Sequence, residues 1–363
     1  MRRIPLVLAS ALATLLLVLQ PSIAFAAQLR RTPVVETFWT GPLWFEGFAV
    51  SNDRIAVSRC GTPYELEPDG RFEFRAWPRP ECWHLTNPSG AGNAFSWDGS
   101  EAAVLLNHGI YSHGFLSVYE TGSPSYTLRH TAGFFDLEAF ENPDRYSRYG
   151  VAGGEKCFAD AGLDHPSWTG STGVIRWNSA HTVAPFRQHS WLVADSGAQA
   201  VWKVDANGTP STFAVLPPVP TRVTADLAAR LGWPACAVGL RNYGQPGPYE
   251  IETGRSGKIY IAGGGARLYR INPRSGAVRT LPYRFEGQLD LTVGRHGELY
   301  VAELATGQIS VIRHGRIRPY VKVPDIYAIE TDERGRLWGA IPSPPYDPNQ
   351  GIVAARILRI LNR

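Results

Sequence analysis

Nine side chains in this sequence have types and positions suited to chemistry. Glu46, Asn93, His181, Tyr249 with Glu250, Asp290 and Tyr327 each stand at the head of a short alternating apolar run. Asp195 and Glu303 close the strand that follows such a run. Glu46, Glu250 and Asp290 together form an oxygen-rich set suited to one divalent cation, Ca²⁺, Mg²⁺ or Zn²⁺. A bound ion of this kind lowers the pKa of its water toward about 7 and polarises a lactone or ester carbonyl. His181, whose ordinary pKa lies near working pH, is then the expected general base. Asn93, Tyr249, Tyr327, Asp195 and Glu303 are the expected contacts to a small organic ligand. The plainer role for each carboxylate is to accept loop N–H groups or an Arg.

Residues so far apart in sequence meet only if a repeating scaffold brings them together. A unit of that kind recurs: an alternating strand, a Gly-containing turn, then a second strand ending in small residues. It is seen in 48–57, 93–106, 183–195, 250–262, 290–302 and 328–338, and the turn glycines Gly257, Gly297 and Gly335 fall 40 and 38 residues apart. A second hairpin follows most units, turning at Asn207-Gly208, Ser275-Gly276 or His314-Gly315, pairs that supply the positive φ of tight hairpins. Four strands per roughly 40 residues mark a propeller blade, and six units predict an all-β, six-bladed β-propeller with four-stranded antiparallel blades. A lone sheet cannot cover both its faces, so the blades must pack around an axis. Residues 33–38 are expected to pair with 355–360 and close the last blade, which protects exposed strand edges. Two stretches break the rhythm, near 131–178 and 217–247. The second contains a helix-like run, 224–231, capped by Thr or Asp. Insertions of this sort serve either as a wall of a binding site or as surface decoration.

The remaining features bound the class. Arg2 and Arg3, an apolar run from Pro5 to Leu19 and the small-x-small Ala24-Phe25-Ala26 read as a signal peptide over 1–26, cleaved after Ala26. Export is therefore expected, to a secreted or periplasmic location, with no stable membrane insertion after cleavage. Four cysteines permit three pairings. Cys60–Cys82 and Cys157–Cys236 are favoured because each lies in or beside a loop. With 36 Lys+Arg against 32 Asp+Glu, the charge of +4 implies no nucleic-acid partner. No G-x-S-x-G, H-E-x-x-H, Walker A or dinucleotide fingerprint is present.

Several runs carry a family likeness. They are Val193-Ala194-Asp195-Ser196-Gly197 through Val204-Asp205, then Val215-Leu216-Pro217-Pro218, Val223-Thr224-Ala225, Pro234-Ala235-Cys236-Ala237-Val238-Gly239 and Gly297-Glu298-Leu299-Tyr300-Val301-Ala302-Glu303-Leu304. In this order they resemble the ScyD/ScyE-like exported propellers, named for a scytonemin pigment gene cluster; the likeness covers roughly residues 130–340. It implies six blades and an extracytoplasmic step of natural-product or pigment metabolism. More distantly the chain resembles the SMP-30/gluconolactonase propellers, which hold a divalent metal on the axis. Glu46-Gly47 matches their opening Glu-Gly, but Phe48 replaces Pro, His181-Thr182 stands for Asn-Gly, and Leu291 follows Asp290. The expectation is a monomeric propeller binding a small molecule in its funnel. The alternatives are a metal-dependent lactonase or esterase and a non-catalytic surface scaffold.

Overall fold

The computed structural model describes residues 33–41, 47–51, 54–59, 62–75, 94–97, 100–107, 114–122, 125–133, 150–163, 180–196, 198–254, 256–342 and 355–361. The signal segment, Glu46, Cys60, Cys82 and Asn93 lie outside the described residues, as does the side chain of His181.

Six four-stranded antiparallel sheets follow one another along the chain. Their innermost strands are Gly47–Ser51, Ala94–Trp97, Ala180–Phe186, Pro248–Thr253, Leu289–Val293 and Ala328–Thr331, in blades 1 to 6. Each inner strand packs beside the next, and the sixth packs beside the first, so the ring is closed. The chain is a six-bladed β-propeller. Within blades 3 to 5 each strand pairs with the next in sequence, as the hairpin pattern requires. The His314-Gly315 turn has positive φ at both residues, 50° and 75°, the combination a two-residue hairpin needs to match strand twist.

Closure follows the expected route and runs further. Val34–Gly41 is the outer strand of blade 6, paired antiparallel with Ala355–Leu361 from Val34↔Leu361 to Gly41↔Ala355. A bulge falls between Thr37 and Trp39, and the Phe38 ring there meets Trp338 edge-on at 5.0 Å. The blades bury separate apolar seams between neighbours. Trp191, Val193 and Trp202 of blade 3 face Leu105, Leu116 and Val118 of blade 2. Ile259, Ile261 and Tyr269 of blade 4 face Leu192 and Val201. Gly276 marks a close approach across one seam, since a Cβ there would lie 2.1 Å from the Phe213 carbonyl oxygen.

The two inserts are not independent decorations. Residues 131–133 still belong to the outer strand of blade 2. Beyond them, Gly150–Ala152 from the first insert pairs with Arg241–Gly244 from the second, which also pairs with Val219–Arg222. This seventh, three-stranded sheet carries helix α1 (Glu155–Asp160) and helix α2 (Ala225–Leu231). Thr224 Oγ1 accepts the Leu227 N–H at 3.1 Å and caps α2. Val151, Phe158, Val223, Ala228 and Ala237 make a small core, stapled by Cys157–Cys236 across 79 residues. Among the described residues no helix is long and apolar enough to cross a membrane.

A bridge closing so long a loop is worth about 4 kcal/mol in the chain-entropy model, here beside a core of five buried side chains in which Phe158 is the one large residue. A Cys157→Ser, Cys236→Ser double variant should keep the ring's β-sheet circular dichroism while limited proteolysis cuts within 150–163 or 219–244. An unchanged digestion pattern would show that the staple is dispensable.

Candidate functional site

Strand alternation sets the site. Side chains two apart on a strand share a face, and Ile251, Leu291 and Ile329 are buried within the blades. Their flanking residues therefore face the axis. The register makes the first layer explicit: Thr182, Glu250, Asp290 and Ala328 lie opposite Ala194, Ala262, Ala302 and Ala340 on the second strands. Glu252, Thr292 and Glu330 make the second layer. The axial cavity measures about 130 Å³ and is bounded by Thr182, Glu250, Asp290, Glu252 and Glu330, with Phe48, Tyr249 and Tyr327 beside them.

Four carboxyl groups thus share one small space. Glu250 Oε1 accepts from Thr182 Oγ1 at 2.7 Å and from the Ile251 N–H at 3.0 Å. Asp290 accepts from the Leu291 N–H at 2.8 Å and, across the blade boundary, from the Ile329 N–H at 2.6 Å. Glu250 and Asp290, from adjacent blades, lie close enough for each carboxyl to influence the other's protonation. Glu330 Oε2 accepts from the Thr331 N–H at 3.1 Å and from Thr292 Oγ1 at 3.4 Å.

The cavity walls favour the neutral form of these acids. Burial pushes Asp290 up to about 7. Burial and then the Asp290 charge push Glu330 up to about 8. Burial raises Glu250 well above the carboxylate range, with Asp290 adding to it, and Glu252 likewise, with Glu330 and Glu250 adding. Asp290 is only 8% exposed, while the three glutamates are half-buried and open onto the cavity. No Arg, Lys or His side chain lines the cavity among the described residues. Such a set can share protons, donate hydrogen bonds as neutral acids, or hold a cation.

Of the expected site residues, Glu250, Asp290, Tyr249 and Tyr327 reach the cavity. His181 and Tyr249 occupy matching bulges, where the inner-strand registers shift between Ala180 and Thr182 and between Pro248 and Glu250. A bulge re-aims its extra residue and is common beside active sites. Asp195 stands outside the residues that line the cavity. It is fully buried, its Oδ1 accepts from the Ala198 N–H at 3.0 Å and its Oδ2 from Trp202 Nε1 at 3.0 Å, so its oxygens serve a turn and an indole. Glu303 also stands outside that lining: it sits opposite Leu289, one strand out, and accepts the Glu286 N–H at 2.8 Å. Glu252, Glu330, Thr182 and Thr292 enter the site unannounced. Their signal lay inside the tetrads, in the i, i+2 relation of Glu252 to Glu250.

The metal expectation meets a specific obstacle. Among the described residues no three His, Cys, Asp or Glu side chains converge as a metal-ligating group. Glu250 and Asp290 accept from N–H groups and, for Glu250, a hydroxyl, and Glu46 lies outside the described residues.

No family model and no curated protein matches the chain. Solved structures of similar fold include the PQQ-bound aldose sugar dehydrogenase from Streptomyces coelicolor, at 10% identity, with a TM-score of 0.51 over 91% of this chain and 99% of that one. A gluconolactonase from Xanthomonas campestris is 15% identical, with a TM-score of 0.50 over 93% of each chain. A streptogramin B lyase matches at 13% identity and a TM-score of 0.46 over 91% of this chain and 98% of that one. At these identities the first two likenesses bear on the fold alone, the β-propeller.

The raised acids make stability depend on pH in a definite direction. Carboxyls whose pKa is higher folded than unfolded give stabilisation that is complete below their ordinary value of about 4. It is lost as pH rises through about 7 for Asp290 and about 8 for Glu330. The melting temperature of chelator-treated protein should fall by several degrees between pH 5 and pH 9. Glu330→Gln should flatten that fall and be the more stable protein at pH 9. Parallel melting curves for the two would contradict the buried-acid description.

Proposed function

We propose that this chain is an exported, monomeric propeller that binds a small organic ligand in its axial cavity. The observation that carries this reading is the convergence of Glu250, Glu252, Asp290 and Glu330 in one cavity, with Tyr249 and Tyr327 beside them and no basic side chain in its described lining. Neutral carboxyls donate hydrogen bonds to hydroxyl or carbonyl groups, and ionised ones attract an amine. Aromatic rings favour a flat or aromatic partner. The ligand class is therefore an aromatic or cyclic molecule bearing hydroxyl or amino groups. The ScyD/ScyE-like runs support a place in natural-product or pigment metabolism outside the cytoplasm.

A second reading, a metal-dependent lactonase or esterase, is favoured by one juxtaposition, Glu250 and Asp290 from adjacent blades lining the same cavity. Glu46, Glu250 and Asp290 would hold the cation, which would polarise the carbonyl, and His181 would accept a proton from water. This reading needs Glu46 to complete the ligand set.

One titration separates the two. Calorimetry with phenolic and aromatic-amine ligands, with and without chelator, should show chelator-insensitive binding weakened about tenfold by Glu250→Gln or Glu330→Gln, the loss expected for a charged or strong hydrogen-bond partner. Tight binding of aromatic carboxylates, or no binding by any of these, would overturn the first reading. Stoichiometric metal with chelator-sensitive lactone hydrolysis would establish the second.

A further inference from the structure

Basic residues are unevenly distributed. From Gly254 to Phe285 the chain has six Arg, one Lys and no Asp or Glu, and from Leu304 to Pro324 three Arg, one Lys and again no acid. These two stretches hold 11 of the 36 basic residues and none of the 32 acidic ones. They are the second to fourth strands of blade 4 and the third and fourth strands of blade 5, neighbouring sectors of the rim.

The strand registers stack like charges. Arg270 lies directly opposite Arg279, with Tyr260 opposite Arg270 on its other side. On blade 5, Arg316 lies opposite Arg313, and only Arg313 reaches an acid, Glu298 at 3.1 Å. Arg316 and Arg318 are two residues apart on one strand, about 7 Å along it. Arg270, Arg279, Arg316, Arg318 and Lys322 are exposed, and none makes an ion pair among the described residues. Like charges placed directly opposite destabilise a sheet. A basic residue on an edge strand guards against edge pairing, but Arg270 is on the third strand and needs no such guard. Together these residues form rows of unneutralised guanidinium groups, with half-buried tyrosines at 260 and 283 beside the first row.

We propose that the outer rim of blades 4 and 5, with one guanidinium row on each blade, binds an acidic polysaccharide, a linear chain of sugars bearing carboxylate or sulfate groups. The guanidinium rows match repeated anions, and tyrosine rings beside cations suit sugar rings carrying those anions. A lipid surface is the poorer occupant. Ile317 is the single large hydrophobic side chain exposed in this sector among the described residues.

The test is binding of the full chain to dextran sulfate and polygalacturonate, with neutral dextran and anionic phosphatidylglycerol vesicles in parallel arms. Salt-sensitive binding to both acidic polymers is expected. It should weaken about tenfold in Arg270→Glu, Arg279→Glu and again in Arg316→Glu, Arg318→Glu, because each reverses a local row of charge. A control double reversal on the seventh sheet and α2, Arg222→Glu, Arg230→Glu, should stay within about twofold, its charges lying outside the basic sector. Melting curves check folding: the first variant exchanges one like-charge cross-strand pair for another and should melt within a few degrees of the parent. No binding by the parent, an equal loss in the control, or binding to vesicles alone would overturn the proposal.

Discussion

A propeller blade is a sheet with two apolar faces, so no blade is stable except between two others. The ring therefore depends on being closed, and here closure rests on the pairing of Val34–Gly41 with Ala355–Leu361. That pairing joins the two ends of the chain inside a single sheet and covers an edge that would otherwise present free N–H and C=O groups. Side-chain bonds near the axis tighten the same ring from within. Thr253 Oγ1 of blade 4 donates to the Pro185 carbonyl of blade 3 at 2.7 Å. Asp290 of blade 5 takes the Ile329 N–H of blade 6, and Ser51 Oγ of blade 1 donates to Glu333 beyond the inner strand of blade 6 at 2.6 Å. The strands make the ring, and these bonds set the blade-to-blade register.

The acids at the hub serve closure poorly if stability is the only measure. Burying four carboxyls together costs more than burying aliphatic side chains of the same size, and the neighbouring N–H groups return only part of it. Position 328 shows the cheaper solution: blade 6 has Ala where blades 4 and 5 have Glu250 and Asp290. Acids retained against that alternative are better understood through what enters the cavity than through what holds the ring.

Much of this architecture was legible from local pattern. The spacing of Gly257, Gly297 and Gly335, the alternating tetrads and the apolar strand near each end suffice for six blades and their closure, because each is a short-range signal repeated. The Cys157–Cys236 pairing was also reachable, since both cysteines fall in the breaks of the repeat. The seventh sheet was not. Gly150–Ala152 pairs with a strand some ninety residues later, and three residues carry no readable period. Asp195 shows a different limit. Its role depends on Trp202 across the hairpin, as that of Asp332 depends on Trp338, and an acid at a strand end looks the same whether it faces a ligand or an indole. Glu252 and Glu330 stand inside the tetrads, where a polar residue is what an ordinary alternating strand also carries. Period two places Glu252 with Glu250, but only the register shows that this face is the axial one.

The seventh sheet also bears on the cavity. Its strands come from the connections on either side of blade 3, and the second connection leads directly into an inner strand that lines the site, Pro248–Thr253, with Tyr249 and Glu250. Strand pairing with Gly150–Ala152 and the Cys157–Cys236 bridge hold that connection shortly before the strand begins. A buried side chain continues the brace: Gln199 Oε1 accepts the Gly247 N–H at 2.6 Å, one residue before the strand of Tyr249 and Glu250 starts. The bulge at Tyr249 follows at once. A bulge aims a side chain reliably only when the chain on both sides of it is held. The inner strand holds one side, and the stapled sheet with Gln199 holds the other.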